Sequence, residues 1–168
     1  MKSIAEHMSF YEAYHRHPLN KATHFIGIPM IVFSILVALG WVSVNISGVP
    51  ITLAMVLVVV VMGYYLMLEP GLALGMACFL LPALYFAHLA AQWPFAASIA
   101  LAVGLFVLGW IIQIIGHTVF EKRRPAFTDN LFQLIIGPIF LVAEAIYLLG
   151  FKHALRDQVK ELAEAHLP

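Results

Sequence analysis

The chain has 168 residues and a formal net charge of +0, with 62% hydrophobic and 11% charged residues and a mean hydropathy of +0.94. It is too apolar for a soluble domain of this size and reads as an integral membrane protein, a single domain over residues 1–168. The charge balance argues against a nucleic-acid partner, which needs a net basic face, and one cysteine, Cys78, excludes an intrachain disulfide or a Cys-rich metal cluster.

Ser3 opens the first predicted helix as its cap, with Glu6 in the first turn and Ile4, Met8 and Tyr11 at helical spacing. This helix is expected to lie on the membrane surface and to end at Pro18. Residues 1–24 carry charges and no apolar core, so no cleaved secretory signal is expected there. Asn20 is the expected N-cap of the first span, whose apolar run is Phe25 to Val44, and Ser47-Gly48 and Val49-Pro50 mark a short turn. Ile51 to Met67 is a second run, stopped by Glu69-Pro70-Gly71. Leu72 to Ala91, with Pro82 inside it, is a third, closed by Gln92-Trp93-Pro94, and Phe95 to Gly116 is the fourth. Each has roughly the 20 residues that one helix needs to cross a bilayer.

All nine Lys and Arg lie at positions 2–21 or 122–160, so the 100 residues from Ala22 to Glu121 carry no basic side chain. Four crossings return the chain to the side it left, which predicts His24 and His117 at one face, the cytoplasmic one by the positive-inside rule. Leu131 to Phe151 reads either as a fifth crossing or as a re-entrant hairpin broken at Gly137-Pro138. The hairpin is preferred because it keeps Lys152, Arg156 and Lys160 on the cytoplasmic side. Residues 151–167 read as an amphipathic surface helix. The expected fold class is thus all-α: a polytopic membrane helix bundle of four spans plus a re-entrant or fifth helix, with amphipathic N- and C-terminal surface helices.

The densest set of reactive side chains lies where the fourth run meets water. If the helix continues through this junction, Gln113, His117 and Glu121 fall on nearly one face. Polar, protonatable groups beside hydrocarbon are costly unless paired and by default mark function. Neutral imidazole is the commonest metal ligand, and several His with a carboxylate and open positions suit Fe(II) activating dioxygen. His15, His24, His117 and Glu121 can supply such a set, with Asn20 and Gln113 orienting a ligand or a bound water. The bland readings are Asn20 as a helix cap and Gln113 as an interhelical hydrogen bond. His17 ranks below His15; His7, His153 and His166 read as solvated; His88 falls at the opposite face and is excluded. Arg123 and Arg124 either anchor the helix end to anionic lipid or hold a fatty carboxylate. No HxxxH or HxxHH box, GxSxG elbow, GxxxxGK loop or HExxH motif occurs.

YHRHPLNKATH, GWIIQIIGHTVFEKRRPAFTDN and LIIGPIFLVAEAIYLLGF together resemble the membrane 2-hydroxy fatty acid dioxygenase family first characterised in fungi. The resemblance implies Fe(II)-dependent α-oxidation, in which O2 and a 2-hydroxy fatty acid give a fatty acid one carbon shorter. The family motif is matched by Tyr14, His15, Pro18, Asn20 and His24, by Gly116, His117, Glu121, Arg123, Arg124, Pro125, Asp129 and Asn130, and by Glu144. From the residues themselves, the expected site has His15, His24 and His117 on iron, with Glu121 as a fourth ligand or a base. Asn20 and Gln113 support it, and Arg123 or Arg124 holds the substrate carboxylate. The expected partners are a 2-hydroxy fatty acid, O2 and membrane lipid. The expected location is a bacterial inner membrane, or the endoplasmic reticulum of a eukaryote, with the site at the cytoplasmic face. The alternatives are a non-catalytic membrane protein that binds lipid or a partner, and a metal-dependent lipid hydrolase.

Overall fold

Charge-free apolar runs become helices in the computed structural model, which describes residues 2–165. Seven α-helices form among the described residues: α1 (Ile4–Ala13), α2 (Pro18–Gly40), α3 (Leu53–Leu68), α4 (Pro70–Ala91), α5 (Phe95–Ile115), α6 (Gln133–Leu148) and α7 (His153–Glu164). A π-helix, Gly116–Glu121, continues α5, and a single 3-10 turn covers Ala126–Thr128. The class is all-α, as the composition implies.

Three helices are long and apolar enough to cross a membrane: Pro18–Gly40, Pro70–Ala91 and Phe95–Glu121. Leu53–Leu68 and Gln133–Leu148 are apolar but shorter, so three of the four expected runs form helices of spanning length and the second forms a shorter one. The second run is shortened because its start is a strand. β1 (Ser43–Ile46) and β2 (Val49–Thr52) pair antiparallel, Ser43 opposite Thr52 and Ile46 opposite Val49. Ser47 and Gly48 both have positive φ, 52° and 85°, which is what a two-residue type I′ hairpin turn requires. Gly48 N–H is held by Asn45 Oδ1 at 2.9 Å.

The expected re-entrant hairpin is also corrected. α6 is one helix of 16 residues that runs through Pro138. Gly137 serves close packing there rather than chain reversal: a Cβ on it would lie 3.2 Å from both Tyr11 Oη and Ile28 Cδ1.

The chain forms two compact units, one of residues up to Ile28 and from Ile112 onward, the other Pro29–Ile111. In the second unit Glu69 ends α3 and caps α4, its carboxylate accepting from Leu72 N–H, with Pro70 at the first helical position. α3 packs on α4. Gly40 faces Ala91, and Trp41 Nε1 donates to Ser98 Oγ at 2.8 Å. Val59, Val60 and Leu74 point outward, a surface that hydrocarbon accepts and water does not.

In the first unit Ser3 and Glu6 form a reciprocal capping box that starts α1. α1 ends at Ala13, short of Pro18. It packs against α6 and α7, with Ile4, Ala5, Met8, Tyr11 and Ala13 buried. Its apolar side chains thus find partners on two helices. α7 is amphipathic as expected and buries Val159 and Ala163.

Candidate metal centre

Helical spacing sets up two of the histidines in the same way. Tyr11 and His15 are four apart at the end of α1, and Asn20 and His24 are four apart within α2. In each pair the earlier carbonyl accepts from the later imidazole: Tyr11 O from His15 Nδ1 at 2.7 Å and Asn20 O from His24 Nδ1 at 2.9 Å. A carbonyl only accepts, so each Nδ1 carries the proton and each Nε2 is a bare lone pair. The two Nε2 atoms face each other at 3.2 Å. Tyr11 stacks flat on His15, ring centroids 3.8 Å apart and planes at 2°, which fixes the imidazole plane.

His117 arrives on the π-helix. Thr118 Oγ1 donates to Ile114 O at 2.8 Å, engaging the carbonyl that the Thr118 N–H would take in an α-helix. Gly116 lets this turn close on α2, since a Cβ there would lie 2.1 Å from Thr23 Oγ1 and 2.4 Å from Asn20 Oδ1. Lys122 ends the turn at φ 52°, and the N–H groups of Lys122 and Arg123 both close on the His117 carbonyl. The His117 ring centroid lies 4.7 Å from that of His15 and 4.9 Å from that of His24. All three are buried, and one nitrogen from each falls within 4.8 Å of the others.

The helix does not continue as a regular α-helix through this junction: the i→i+5 hydrogen bonds of Gly116–Glu121 widen its last turn. Gln113 is buried one turn before His117, His117 enters the histidine cluster, and Glu121 leaves it for the turn between α1 and α2. There Glu121 Oε1 accepts from Arg16 N–H at 3.1 Å, and Oε2 accepts from His17 N–H at 2.9 Å and Asn20 Nδ2 at 3.0 Å. Asn20 is not the N-cap, because Pro18 takes the first helical position and His17 Nδ1 accepts from Leu19 N–H at 3.2 Å. It bridges instead from Glu121 to the backbone that holds His24.

Arg123 Nη1 donates to Ala13 O at 2.9 Å, and its guanidinium lies 4.0 Å over the Tyr14 ring. Tyr14 Oη donates to Asp129, which also pairs with Arg124 at 2.7 Å; the Arg124 side chain is 70% exposed. Below the cluster Lys21 pairs with Glu12 at 2.7 Å and Glu144 at 3.2 Å and sits 5.3 Å from the Phe140 ring centroid. Burial pushes the Glu12 carboxyl up, partly countered by Lys21. Burial, and then the neighbouring His24 and His117, hold the His15 imidazole well below the ordinary histidine range, so it is neutral. His17 stacks on Phe120, His7 tilts against Phe132, His88 pairs with Gln92, and His153 is exposed. His166 lies outside the described residues.

Tyr11, Thr23, Glu12 and Lys21 were not singled out as site residues by the sequence. For Tyr11 the signal was its place four residues before His15. Two bare lone pairs facing each other, in a cluster whose His117 has a buried Nδ1 with no hydrogen-bond partner, are unfavourable unless a cation is held among them. Protonation is opposed by burial, whereas three neutral imidazoles fit a divalent transition metal.

A family model described as 2-hydroxy-palmitic acid dioxygenase Mpo1-like matches residues 1–148. The 2-hydroxy-palmitic acid dioxygenase MPO1 of Saccharomyces cerevisiae is 37% identical over 156 residues, which cover 91% of this chain and 85% of the yeast protein. No solved structure matches the chain.

Proposed function

The chain belongs to the 2-hydroxy-palmitic acid dioxygenase Mpo1-like family, and from that premise we propose that it is an Fe(II)-dependent dioxygenase that shortens 2-hydroxy fatty acids by one carbon. The carrying observation is the convergence of His15, His24 and His117, buried and within 4.8 Å of one another. One 2-hydroxy acid and one O2 contain the atoms of a shorter acid, one CO2 and one water. The bond between C1 and C2 breaks, C2 becomes the new carboxyl carbon, and the four electrons lost by the substrate are those that O2 takes up. No further reductant is required.

Iron, when bound, supplies the one-electron chemistry that ground-state dioxygen needs and an anchor for the 2-hydroxy acid head. His15, His24 and His117 hold it. The Tyr11 and Asn20 carbonyls keep two of the imidazoles in one tautomer and raise their basicity. Of the roles open to Glu121, its three donors support holding the turn that carries His15 over ligating iron or acting as the base. Asn20 connects that carboxylate to His24, and Gln113 is assigned to orienting the substrate head from the turn before His117. Arg123 is spent on Ala13 and Tyr14, so the approach of the fatty carboxylate is assigned to the exposed Arg124.

The acyl chain is placed in hydrocarbon, where it incurs no desolvation cost. α2 begins, and the π-helix after α5 ends, at the histidine cluster. Crossings by α2, α4 and α5 then require a fourth by α3, whose 16 residues span about 24 Å, a shortfall that bilayer thinning accommodates. The basic residues assign the site to the cytoplasmic face.

The test is oxygen uptake by the iron-loaded protein on adding a 2-hydroxy fatty acid. Uptake matched by a shorter acid is expected. Hydrolysis without uptake would favour a metal-activated water, and no turnover a lipid-binding role.

A further inference from the structure

His15 and His24 present Nε2 to the cluster because a carbonyl occupies Nδ1 in each, at 2.7 and 2.9 Å. His117 is held differently. Its Nδ1 is buried and makes no hydrogen bond. A buried nitrogen left without a partner carries a desolvation cost that a bound cation removes, and the neutral tautomer that leaves Nδ1 as a lone pair has its proton on Nε2.

Resting on the three-histidine metal reading above, we propose that the site uses mixed imidazole donors: Nε2 of His15, Nε2 of His24 and Nδ1 of His117. A second feature of the fold agrees. An imidazole that ligates through Nδ1 holds its ion nearer its own backbone than one that ligates through Nε2, so the 117 backbone has to come in close. It does so at Gly116, where any Cβ would meet Thr23 Oγ1 at 2.1 Å and Asn20 Oδ1 at 2.4 Å. The π-helix and the glycine thus bring the third ligand to its short reach, which neither His15, just after α1, nor His24, within α2, needs.

Two readouts independent of turnover test this. In the metal-free protein, labelled with nitrogen-15 at histidine and held at mildly alkaline pH in detergent, two-bond proton–nitrogen correlations report the tautomers. His15 and His24 are expected with Nδ1 protonated and His117 with Nε2 protonated. Added Zn2+, a diamagnetic probe, is expected to move Nε2 of the first two and Nδ1 of the third. Movement of Nε2 at all three overturns the mixed-donor assignment and leaves the metal site standing. No movement at any of them overturns both.

The second readout uses amide side chains, because an Asn amide reaches roughly where Nδ1 does and a Gln amide where Nε2 does. His117→Asn is expected to retain Zn2+ about tenfold more tightly than His117→Gln, with the preference reversed at His24, a size typical of altered ligand geometry. The same preference for Gln at both positions overturns the assignment.

Discussion

The turn between α1 and α2 and the π-helix at residues 116–121 deliver histidines to the same cluster by opposite means. At the first, regular helix geometry is enough: each histidine sits four residues after the carbonyl that orients it. At the second, regularity is broken so that His117 can approach and Glu121 can swing onto the opposite turn. Spacing of four residues therefore orients an imidazole, and a local departure from the α-helix joins distant segments.

Removing a histidine from either region should have the largest effect. His15→Ala, His24→Ala and His117→Ala should each abolish substrate-dependent oxygen uptake, a loss beyond the roughly 10–100-fold seen when only outer contacts are changed. A variant that keeps parent uptake rates would remove its region from the comparison.

Glu121→Gln comes next, because it sharpens how the two regions are joined. Both carboxylate oxygens accept backbone N–H groups, so an amide must turn its NH2 onto one of them. Iron affinity should fall by about 10–100-fold, with uptake partly restored by raising free Fe(II); unchanged affinity would leave the two turns uncoupled. Gly116→Ala should cost about 1–3 kcal/mol by overpacking against Thr23 and Asn20, read as a lowered thermal midpoint in detergent. By contrast, Gly104→Ala meets nothing within 4 Å and should be neutral or stabilise by up to about 1 kcal/mol. Equal effects at the two glycines would refute the close approach.

The smallest effect is in pH. His15 is held well below its ordinary value by burial, so the unfolded chain takes up a proton that the folded one refuses. Its contribution is fully present above about pH 6.5 and is lost as pH falls toward the folded-state value, at about 1.4 kcal/mol per pH unit. Metal-free protein should lose stability over that range in denaturation midpoints, and His15→Gln should lessen the loss.

Much of this arrangement is legible in the sequence where a rule is local. Ser3 with Glu6 announces a cap that forms, Glu69-Pro70-Gly71 announces a helix break that forms, and His24 and His117, grouped by the sequence, bring their rings together. What escaped depends on contacts between segments. Ile51 and Thr52 open the second run and become the end of a strand. Gly137-Pro138 looks like a break, yet the glycine admits Tyr11 and the helix continues. Asn20 looks like a cap, but Pro18 starts the helix two residues earlier and frees its amide to reach Glu121. The i, i+4, i+8 spacing of Gln113, His117 and Glu121 is the same in an α-helix as in the π-helix that forms.

The central claim is that imidazoles from both ends of the helical run share one iron. Iron measured per chain after anaerobic, reducing purification tests it most directly. Parent protein should carry about one equivalent, and His24→Ala and His117→Ala, one from each region, should each lose it. Retention of the parent stoichiometry in either variant would contradict the shared centre.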